Sequence, residues 1–306
     1  MNPKVSIVSP VYNEEDNLSD FISQVVSELE KISIPFEIVI CNDGSQDGTK
    51  LLLSKICQED SRVKVINFSR NFGQHAAITA GIYASNGEYT IVMDSDLQDD
   101  PSVISELIYK AESGYDVVFV ARTKRKISKL YSFLQRNFYF FLNIISDLSF
   151  DPRFGNFSII SMKVRKAYIE LNGSIKYYPA ALNWLGFTTS VVYSEQRARK
   201  SESKTKYNLV SRFGLAFQVI VAHSRKPLKL AVILGFIIAA VGILLSFWVI
   251  WLFLNDKLSQ PGWASTIVAI ISLSGLQLFT LGIFGLYIGE IFDSSQKKPR
   301  FIIESK

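Results

Sequence analysis

Two aspartates, Asp94 and Asp96, stand two residues apart directly after an apolar run of strand length, residues 89–93. Helix capping accounts for Asp99 or Asp100, which precede Pro101, but it does not account for this pair. Paired carboxylates suit a hard divalent cation, which prefers oxygen ligands and can also bind substrate phosphates. The pair therefore predicts a metal site, although an Asp-x-Asp pattern alone has low specificity.

Polar residues also follow three other apolar runs of strand length. They occupy residues 10–15, 42–45 and 69–73. In α/β sheets the ligand binds at the carboxyl ends of the strands. Four polar strand ends in one sheet therefore support the prediction of a binding site at that edge much more strongly than the aspartate pair does alone.

Strands and helices alternate over the first 120 residues, which predicts a mostly parallel α/β sheet. The predicted strands are residues 4–9, 36–41, 63–68, 89–93 and 116–121, and the predicted helices are 15–31, 48–59, 74–84 and 101–111. No G-x-G-x-x-G follows the first strand and no G-x-x-x-x-G-K-[ST] occurs, which argues against a Rossmann site and a P-loop. Two cysteines and two histidines exclude a disulfide scaffold and suggest no zinc site. The net charge of +5 is too small to indicate nucleic-acid binding.

Two uncharged runs, residues 230–254 and 263–289, account for the high apolar content of the chain. Each exceeds the ~20 residues that cross a bilayer, whereas soluble core helices, the alternative, rarely run so long without a charge. Basic residues flank the two uncharged runs: Arg225, Lys226 and Lys229 precede the first, and Lys297, Lys298 and Arg300 follow the second. The positive-inside rule then predicts an integral protein of the plasma (inner) membrane, with its active site and both termini in the cytoplasm.

The predicted domains are an α/β core at 1–126, an acceptor-side segment at 127–226, two membrane helices within 227–290 and a cytoplasmic tail at 291–306. Residues 127–148 and 207–222 are rich in aromatic residues at helical spacing. They are predicted to be amphipathic helices in the headgroup layer, with ordinary core or partner-facing helices as the alternative.

The polar motifs resemble those of family-2 glycosyltransferases with the GT-A fold. They are Asn13-Glu14-Glu15, Asn42-Asp43-Gly44-Ser45, Arg70-Asn71-Phe72-Gly73-Gln74-His75 and Asp94-Ser95-Asp96-Leu97-Gln98-Asp99. The chain looks most similar to the polyisoprenyl-phosphate group, which contains dolichol-phosphate mannose synthase and bacterial undecaprenyl-phosphate sugar transferases. This resemblance covers nearly the whole chain, including both apolar runs and the tail.

The resemblance implies a nucleotide-sugar donor, with a UDP-sugar expected first, and Mg²⁺ or Mn²⁺ as cofactor. It also implies a polyprenyl-phosphate acceptor, inversion at the anomeric carbon and association with the lipid bilayer. The product would be a lipid-linked sugar for modification of cell-envelope glycans. We further expect a homo-oligomer and no nucleic-acid partner.

The resemblance also assigns roles to single residues. Pro10, Tyr12 and Glu14 would line the nucleotide pocket, with Asp43 on the base. Asp94 would bind the metal or the ribose, and Asp96 would bind the metal and the diphosphate, with Gln98 supporting Asp96 at the metal. Arg70 and Lys206 are further candidates for donor binding, and Arg122, Arg125 and Arg136 for the lipid phosphate.

Two departures from the family pattern affect these assignments. Lys200 and Ser203 replace the usual Arg and Gly before Thr205-Lys206-Tyr207, a loop expected to close over the diphosphate. Asn156 stands where many relatives have an aspartate often discussed as a base. Because an amide takes no proton at neutral pH, a carboxylate base at this position is in doubt.

Two alternatives to this enzyme are open. A processive polysaccharide synthase shares the GT-A core, but it would need more spans and a Q-x-x-R-W motif, and neither is found in the sequence. A non-catalytic membrane scaffold with a decayed fold is disfavoured because Asp43, Asp94 and Asp96 are all present.

Overall fold

The computed structural model describes residues 3–122, 154–171, 175, 177–194, 226–255, 262–296 and 298–305. The chain divides into two compact units. The first comprises Met1–Tyr139, Ser149–Lys206 and Pro299–Lys306, and the second Phe140–Leu148 and Tyr207–Lys298. Several predictions lie outside the described residues: the helices at 127–148 and 207–222 and the roles of Arg125, Arg136 and Lys206.

The first unit is built from alternating strands and helices. The strands are β1 Val5–Val11, β2 Phe36–Asn42, β3 Val63–Phe68, β4 Tyr89–Val92, β5 Val117–Arg122, β6 Phe154–Ser161, β7 Thr189–Ser194 and β8 Ile303–Ser305. The helices are α1 Glu15–Ile32, α2 Thr49–Glu59, α3 Gln74–Ala84, α4 Ile104–Glu112, α5 Met162–Glu170 and α6 Tyr178–Leu185, with a short 3-10 helix at Pro101–Val103.

Among the described residues, these strands form one sheet in the order β7-β5-β6-β4-β1-β2-β3-β8. β1 is parallel to β2 and β4, and β2 is parallel to β3. β6 runs antiparallel between β4 and β5, and β8 runs antiparallel to β3. The expected α/β fold with a mostly parallel sheet is confirmed.

Up to residue 122 the predicted strands and helices match the structure, and most of their ends lie within one or two residues of the observed ends. The predicted helix at 101–111 is a 3-10 turn followed by α4. β6, β7 and β8 were not predicted. β6 carries polar side chains at Asn156 and Ser158, and β8 has three residues, so neither shows the long apolar run that identified the earlier strands.

The core forms around helices such as α1 and α4, whose apolar residues fall on one face at helical spacing. In α1, Leu18, Phe21, Ile22, Val25 and Leu29 are buried. They join the apolar side chains of β1, β2 and α4 in one cluster. This packing fixes the first turn of α1 next to the end of β1, so the polar loops at that edge of the sheet are supported by the core.

The second unit contains two long helices, α7 Lys226–Leu254 and α8 Trp263–Ser295. They contain the two uncharged runs of the sequence and extend beyond them, at the start of α7 and at the end of α8. Large apolar side chains on both are exposed, among them Phe236, Leu244, Phe247 and Leu278. Within the described residues, no helix has both the length and the hydropathy of a membrane span.

At the opposite end of the sheet, a buried carboxylate joins three elements. Glu37 on β2 accepts hydrogen bonds from the Ser6 hydroxyl, the Asn86 backbone N–H and the Lys64 ammonium, each at 2.6 Å. Burial alone would raise the pKa of Glu37, but these three donors together lower it below its usual value. The folded state therefore favours the ionised form of the Glu37 carboxylate.

We expect Glu37→Ala to lower the free energy of unfolding of the full-length chain by about 1–3 kcal/mol, because it leaves a buried hydroxyl and a backbone N–H without their acceptor. The contribution of Glu37 should be fully present above the unfolded-state pKa, ~4.3, and be lost as the pH falls through the lowered folded-state pKa. Denaturant unfolding at several pH values measures both effects.

Glu28→Gln is the control, because it removes a surface ion pair with Lys31 that contributes little. Equal stability losses in the two variants would contradict the role given to Glu37.

Candidate functional site

The strand register places the polar loops at one edge of the sheet. Val11 at the end of β1 pairs with Asn42 at the end of β2, and Asn42 pairs with Asn67 on β3. On the other side, Val8 of β1 pairs with Val92, the last residue of β4. Because all four strands are parallel, the residues that follow them come together, as the sequence predicted.

Asp43 is the most deeply buried acidic residue at this edge, with a residue exposure of 2%. One carboxylate oxygen accepts the Phe72 N–H at 2.6 Å and the other accepts the Gly73 N–H at 2.9 Å. Burial raises the pKa of Asp43, and the two N–H groups partly oppose that shift. Asp43 thus holds residues 70–73, here called the 70–73 loop, against the end of β2.

The 70–73 loop approaches β2 so closely that only glycine fits at position 44. Gly44 has a φ of +69°, and a Cβ added there would overlap the backbone of Arg70 and Asn71. Both the left-handed backbone and the close approach favour glycine. The Asp43-Gly44 pair of the motif therefore has a packing role that the sequence alone did not reveal.

The β1 and β2 loops are joined by hydrogen bonds. The Asn13 side chain accepts the Gln46 N–H at 2.8 Å, and the Asn13 N–H donates to the Ser45 hydroxyl at 3.0 Å. The Glu14 N–H donates to the Thr49 hydroxyl at 3.1 Å. Asn13 has a φ of 54°, a left-handed conformation that asparagine tolerates better than most residues.

Asp94 is held by amide groups from two other elements. One carboxylate oxygen accepts the Gln74 side-chain amide at 2.8 Å and the Asn156 side-chain amide at 3.3 Å. Gln74 begins α3 directly after Gly73, so the 70–73 loop and its helix join Asp43 to Asp94. Asn156 acts here as a hydrogen-bond donor, which an ionised aspartate at the same position could not do.

Asp96 is positioned by an unusual turn. Leu97 has a φ of 59°, although a branched side chain rarely adopts that conformation. Its side chain is 6% exposed and belongs to the core cluster, so burial offsets the backbone cost. The turn lets the Gln98 N–H donate to the Asp96 carboxylate at 3.1 Å, and the Ser95 hydroxyl donates to the Pro10 carbonyl at 3.3 Å.

The donor set at this turn fits a divalent cation. Within the described ranges, no group of three or more His, Cys, Asp or Glu side chains is close enough to hold a metal ion. Mg²⁺ commonly binds through one or two carboxylates together with substrate phosphates. Asp94 and Asp96 supply two carboxylates at the sheet edge, so they match a cation that is shared with a phosphorylated substrate.

The remaining predicted site residues fall at the same edge where they are described. Pro10 is buried at the end of β1, and Tyr12 beyond it is 42% exposed. The Glu14 carboxylate accepts the Asn17 amide at 2.8 Å in the first turn of α1. The Arg70 guanidinium lies 4.3 Å from the centroid of the Phe72 ring, and Arg122 ends β5.

A cavity of about 300 Å³ opens beside the 70–73 loop. It is lined by Asn42, Gly44, Ser45, Gln46, Lys50, Phe68, Ser69, Arg70, Asn71 and Glu304. A larger groove of about 650 Å³ lies between α1 and α2 and contains none of the predicted site residues. The smaller cavity is therefore the one that belongs to the candidate site.

The sequence alone does not indicate a separate role for Gln74 or for the tail residue Glu304. Gln74 was visible as part of a motif, but its partner Asp94 lies 20 positions away along the chain. Glu304 lines the cavity because β8 pairs with β3. No local pattern of the sequence indicates that pairing.

Comparison with known proteins identifies the family to which this fold with its acidic sheet edge belongs. Glycosyl transferase family 2 matches residues 6–186, more than half of the chain. The chain therefore belongs to this family, and it is an enzyme of the transferase class.

Two relatives and one solved structure illustrate the similarity. The glycosyltransferase YkcC of Bacillus subtilis is 36% identical over 304 residues, which cover 98% of this chain and 93% of that protein. A prophage bactoprenol glucosyl transferase homologue of Escherichia coli is 32% identical over 302 residues, 98% of each chain. Glucosyl-3-phosphoglycerate synthase of Mycobacterium tuberculosis, solved with Mn²⁺, UDP-glucose and phosphoglyceric acid, shares the fold at 18% identity and a TM-score of 0.50, over 72% of this chain and 78% of that one.

We expect Asp96→Ala to lower sugar transfer about a thousandfold while the chain stays folded. Asp96 is predicted to bind the metal, and the loss of such a carboxylate removes several kcal/mol of transition-state stabilisation. Transfer rates with thermal unfolding as the folding check test this, and Asp20→Ala, which removes an exposed carboxylate of α1, is the matched control. Near-normal turnover by a folded Asp96→Ala chain would contradict the assignment.

Proposed function

We propose that this chain transfers a sugar from a nucleotide-sugar donor to a polyprenyl phosphate, with inversion at the anomeric carbon. The observation that carries the proposal is the sheet edge, where Asp94 and Asp96 follow β4 and where Gln74, directly after the 70–73 loop, donates a hydrogen bond to Asp94. The E. coli relative, which is named for glucosyl transfer to bactoprenol, matches over 98% of both chains and supports the lipid acceptor.

The donor would bind with its diphosphate towards Asp94 and Asp96. A divalent cation, Mg²⁺ or Mn²⁺, bound by these residues would neutralise charge on the leaving diphosphate. The amides of Gln74 and Asn156 fix one oxygen of Asp94, so this carboxylate is oriented before the donor arrives. Asp43 and the 70–73 loop would form the nucleotide side of the site.

The acceptor brings its own nucleophile. A phosphate monoester loses its second proton near pH ~6, so a polyprenyl phosphate is mainly a dianion at neutral pH. One phosphate oxygen attacks the anomeric carbon as the bond to the diphosphate breaks, and no proton has to be removed. An amide at position 156 is compatible with this chemistry, because the enzyme needs only to align the reactants and stabilise the diphosphate.

The transfer assay offers UDP-, GDP- and dTDP-sugars to the purified full-length chain with undecaprenyl phosphate and Mn²⁺ or Mg²⁺. We expect a lipid-linked sugar, detected by its mass, from one donor class, and we expect chelation of the metal to stop its formation. Free phosphoglycerate replaces the lipid as a control acceptor. A product with phosphoglycerate and none with the lipid would contradict the proposal.

We also propose that α7 and α8 form a membrane hairpin that keeps the active site in the cytoplasm. The support comes from the two uncharged runs, their basic flanks and the exposed apolar side chains of both helices. Undecaprenyl phosphate is itself a membrane lipid, so an enzyme anchored in the bilayer would meet its acceptor there. A product of this kind would serve modification of cell-envelope glycans.

Cysteine labelling tests this topology. In a chain without Cys41 and Cys57, Ser259→Cys, in the sequence between α7 and α8, should react with an impermeant maleimide in intact cells. Lys166→Cys on α5 should react only after lysis, because it would lie on the cytoplasmic side. Labelling of Lys166→Cys in intact cells, or protection of Ser259→Cys until lysis, would contradict the proposed hairpin.

A further inference from the structure

The C-terminal tail returns to the α/β unit and pairs with the strand that leads into the 70–73 loop. β8 runs antiparallel to β3, with Phe68 opposite Ile303 and Asn67 opposite Ser305. The Ser69 N–H donates to the Ile302 carbonyl at 3.1 Å. The tail therefore covers an edge strand of the sheet at the point where the chain enters the donor side of the site.

Three aromatic rings continue this contact into the loop. Phe301 stacks on Phe68 with ring centroids 5.0 Å apart and an interplanar angle of 9°. Phe68, which is 2% exposed, meets the edge of Phe72 at 5.7 Å. Phe72 in turn carries the Arg70 guanidinium on its face and donates its backbone N–H to Asp43.

The tail also contributes directly to the cavity. Glu304 lines it and forms an ion pair with Lys50 at 2.9 Å. Arg70, Gly44 and Ser45 from the sequence motifs line the same cavity. The tail thus contacts the candidate site in two ways: Glu304 lines the cavity, and Phe301 packs on the rings that lead to the 70–73 loop.

We propose that Phe301 is a positioning residue for donor binding, acting through Phe68 and Phe72 on the 70–73 loop. This inference rests on the proposed nucleotide-sugar donor. Stacked aromatic pairs are rigid and individually contribute modest free energy beyond area burial. Ordering a loop before the ligand arrives lowers the entropy cost of binding, so the loss of this contact weakens donor affinity more than it changes the chemical step.

The test compares Phe301→Ala with Ile302→Ala in the full-length chain. Ile302 is the matched control, because it lies in the same tail and its side chain is 51% exposed. We expect Phe301→Ala to raise the donor KM and the Kd for UDP, GDP or dTDP, whichever the chain binds, about fivefold to tenfold. kcat at saturating donor and the acceptor KM should stay within twofold, and Phe301→Tyr should restore donor affinity.

Hydrogen exchange supplies a readout that a general loss of stability would not produce. Peptides containing Phe72 and Gly73 should exchange faster in Phe301→Ala, whereas those from the α1 core should not change. If Phe301→Ala is too unstable to purify, Phe301→Leu keeps apolar volume but loses the stacked ring and gives the same comparison.

The outcomes separate the two proposals. If the wild-type chain binds none of the nucleoside diphosphates, the proposed function fails, and this inference fails with it. If the wild-type chain binds one of them and Phe301→Ala binds it equally well, only the role of Phe301 is overturned. A fall in kcat at unchanged donor affinity would also overturn it.

Discussion

A carboxylate buried at the end of a strand must find hydrogen-bond donors nearby, and at Asp43 both come from the backbone of the next crossover. Because the Phe72 and Gly73 N–H groups satisfy its two oxygens, the 70–73 loop is drawn over the end of β2. This approach leaves no room for a side chain at Gly44. It also sets where α3 begins, and with it the position of Gln74.

The consequences reach the acidic turn after β4. Gln74 and Asn156 donate to the same oxygen of Asp94, so a parallel strand, a crossover helix and an antiparallel strand converge on one carboxylate. Convergence of this kind pre-organises a charged group through neutral amide donors. An amide at 156 agrees with chemistry in which the acceptor phosphate is already ionised and the enzyme's task is to align the reactants.

The two ends of the sheet use buried carboxylates for different purposes. At the amino end, Glu37 binds a lysine, a hydroxyl and a backbone N–H, and its lowered pKa reflects a charge that the fold satisfies fully. At the carboxyl end, burial dominates at Asp43 and raises its pKa, while Asp94 and Asp96 lie in loops. The buried charge at the amino end is thus satisfied within the fold, and the polar loops at the carboxyl end are available for binding.

The sequence by itself determined the α/β alternation, the polar strand ends and the two long apolar helices, because hydrophobic periodicity and turn residues are local properties of the chain. It also located Asp94 and Asp96, since both directly follow a strand. Only the tertiary structure decided which groups these residues contact. Asn156 lies 62 positions from its partner Asp94, and Glu304 lies 254 positions from Lys50. β6 and β8 join the sheet by antiparallel pairing with strands far away in sequence. β6 is partly polar and β8 has only three residues, so the neighbouring strands specify them rather than their own residue pattern.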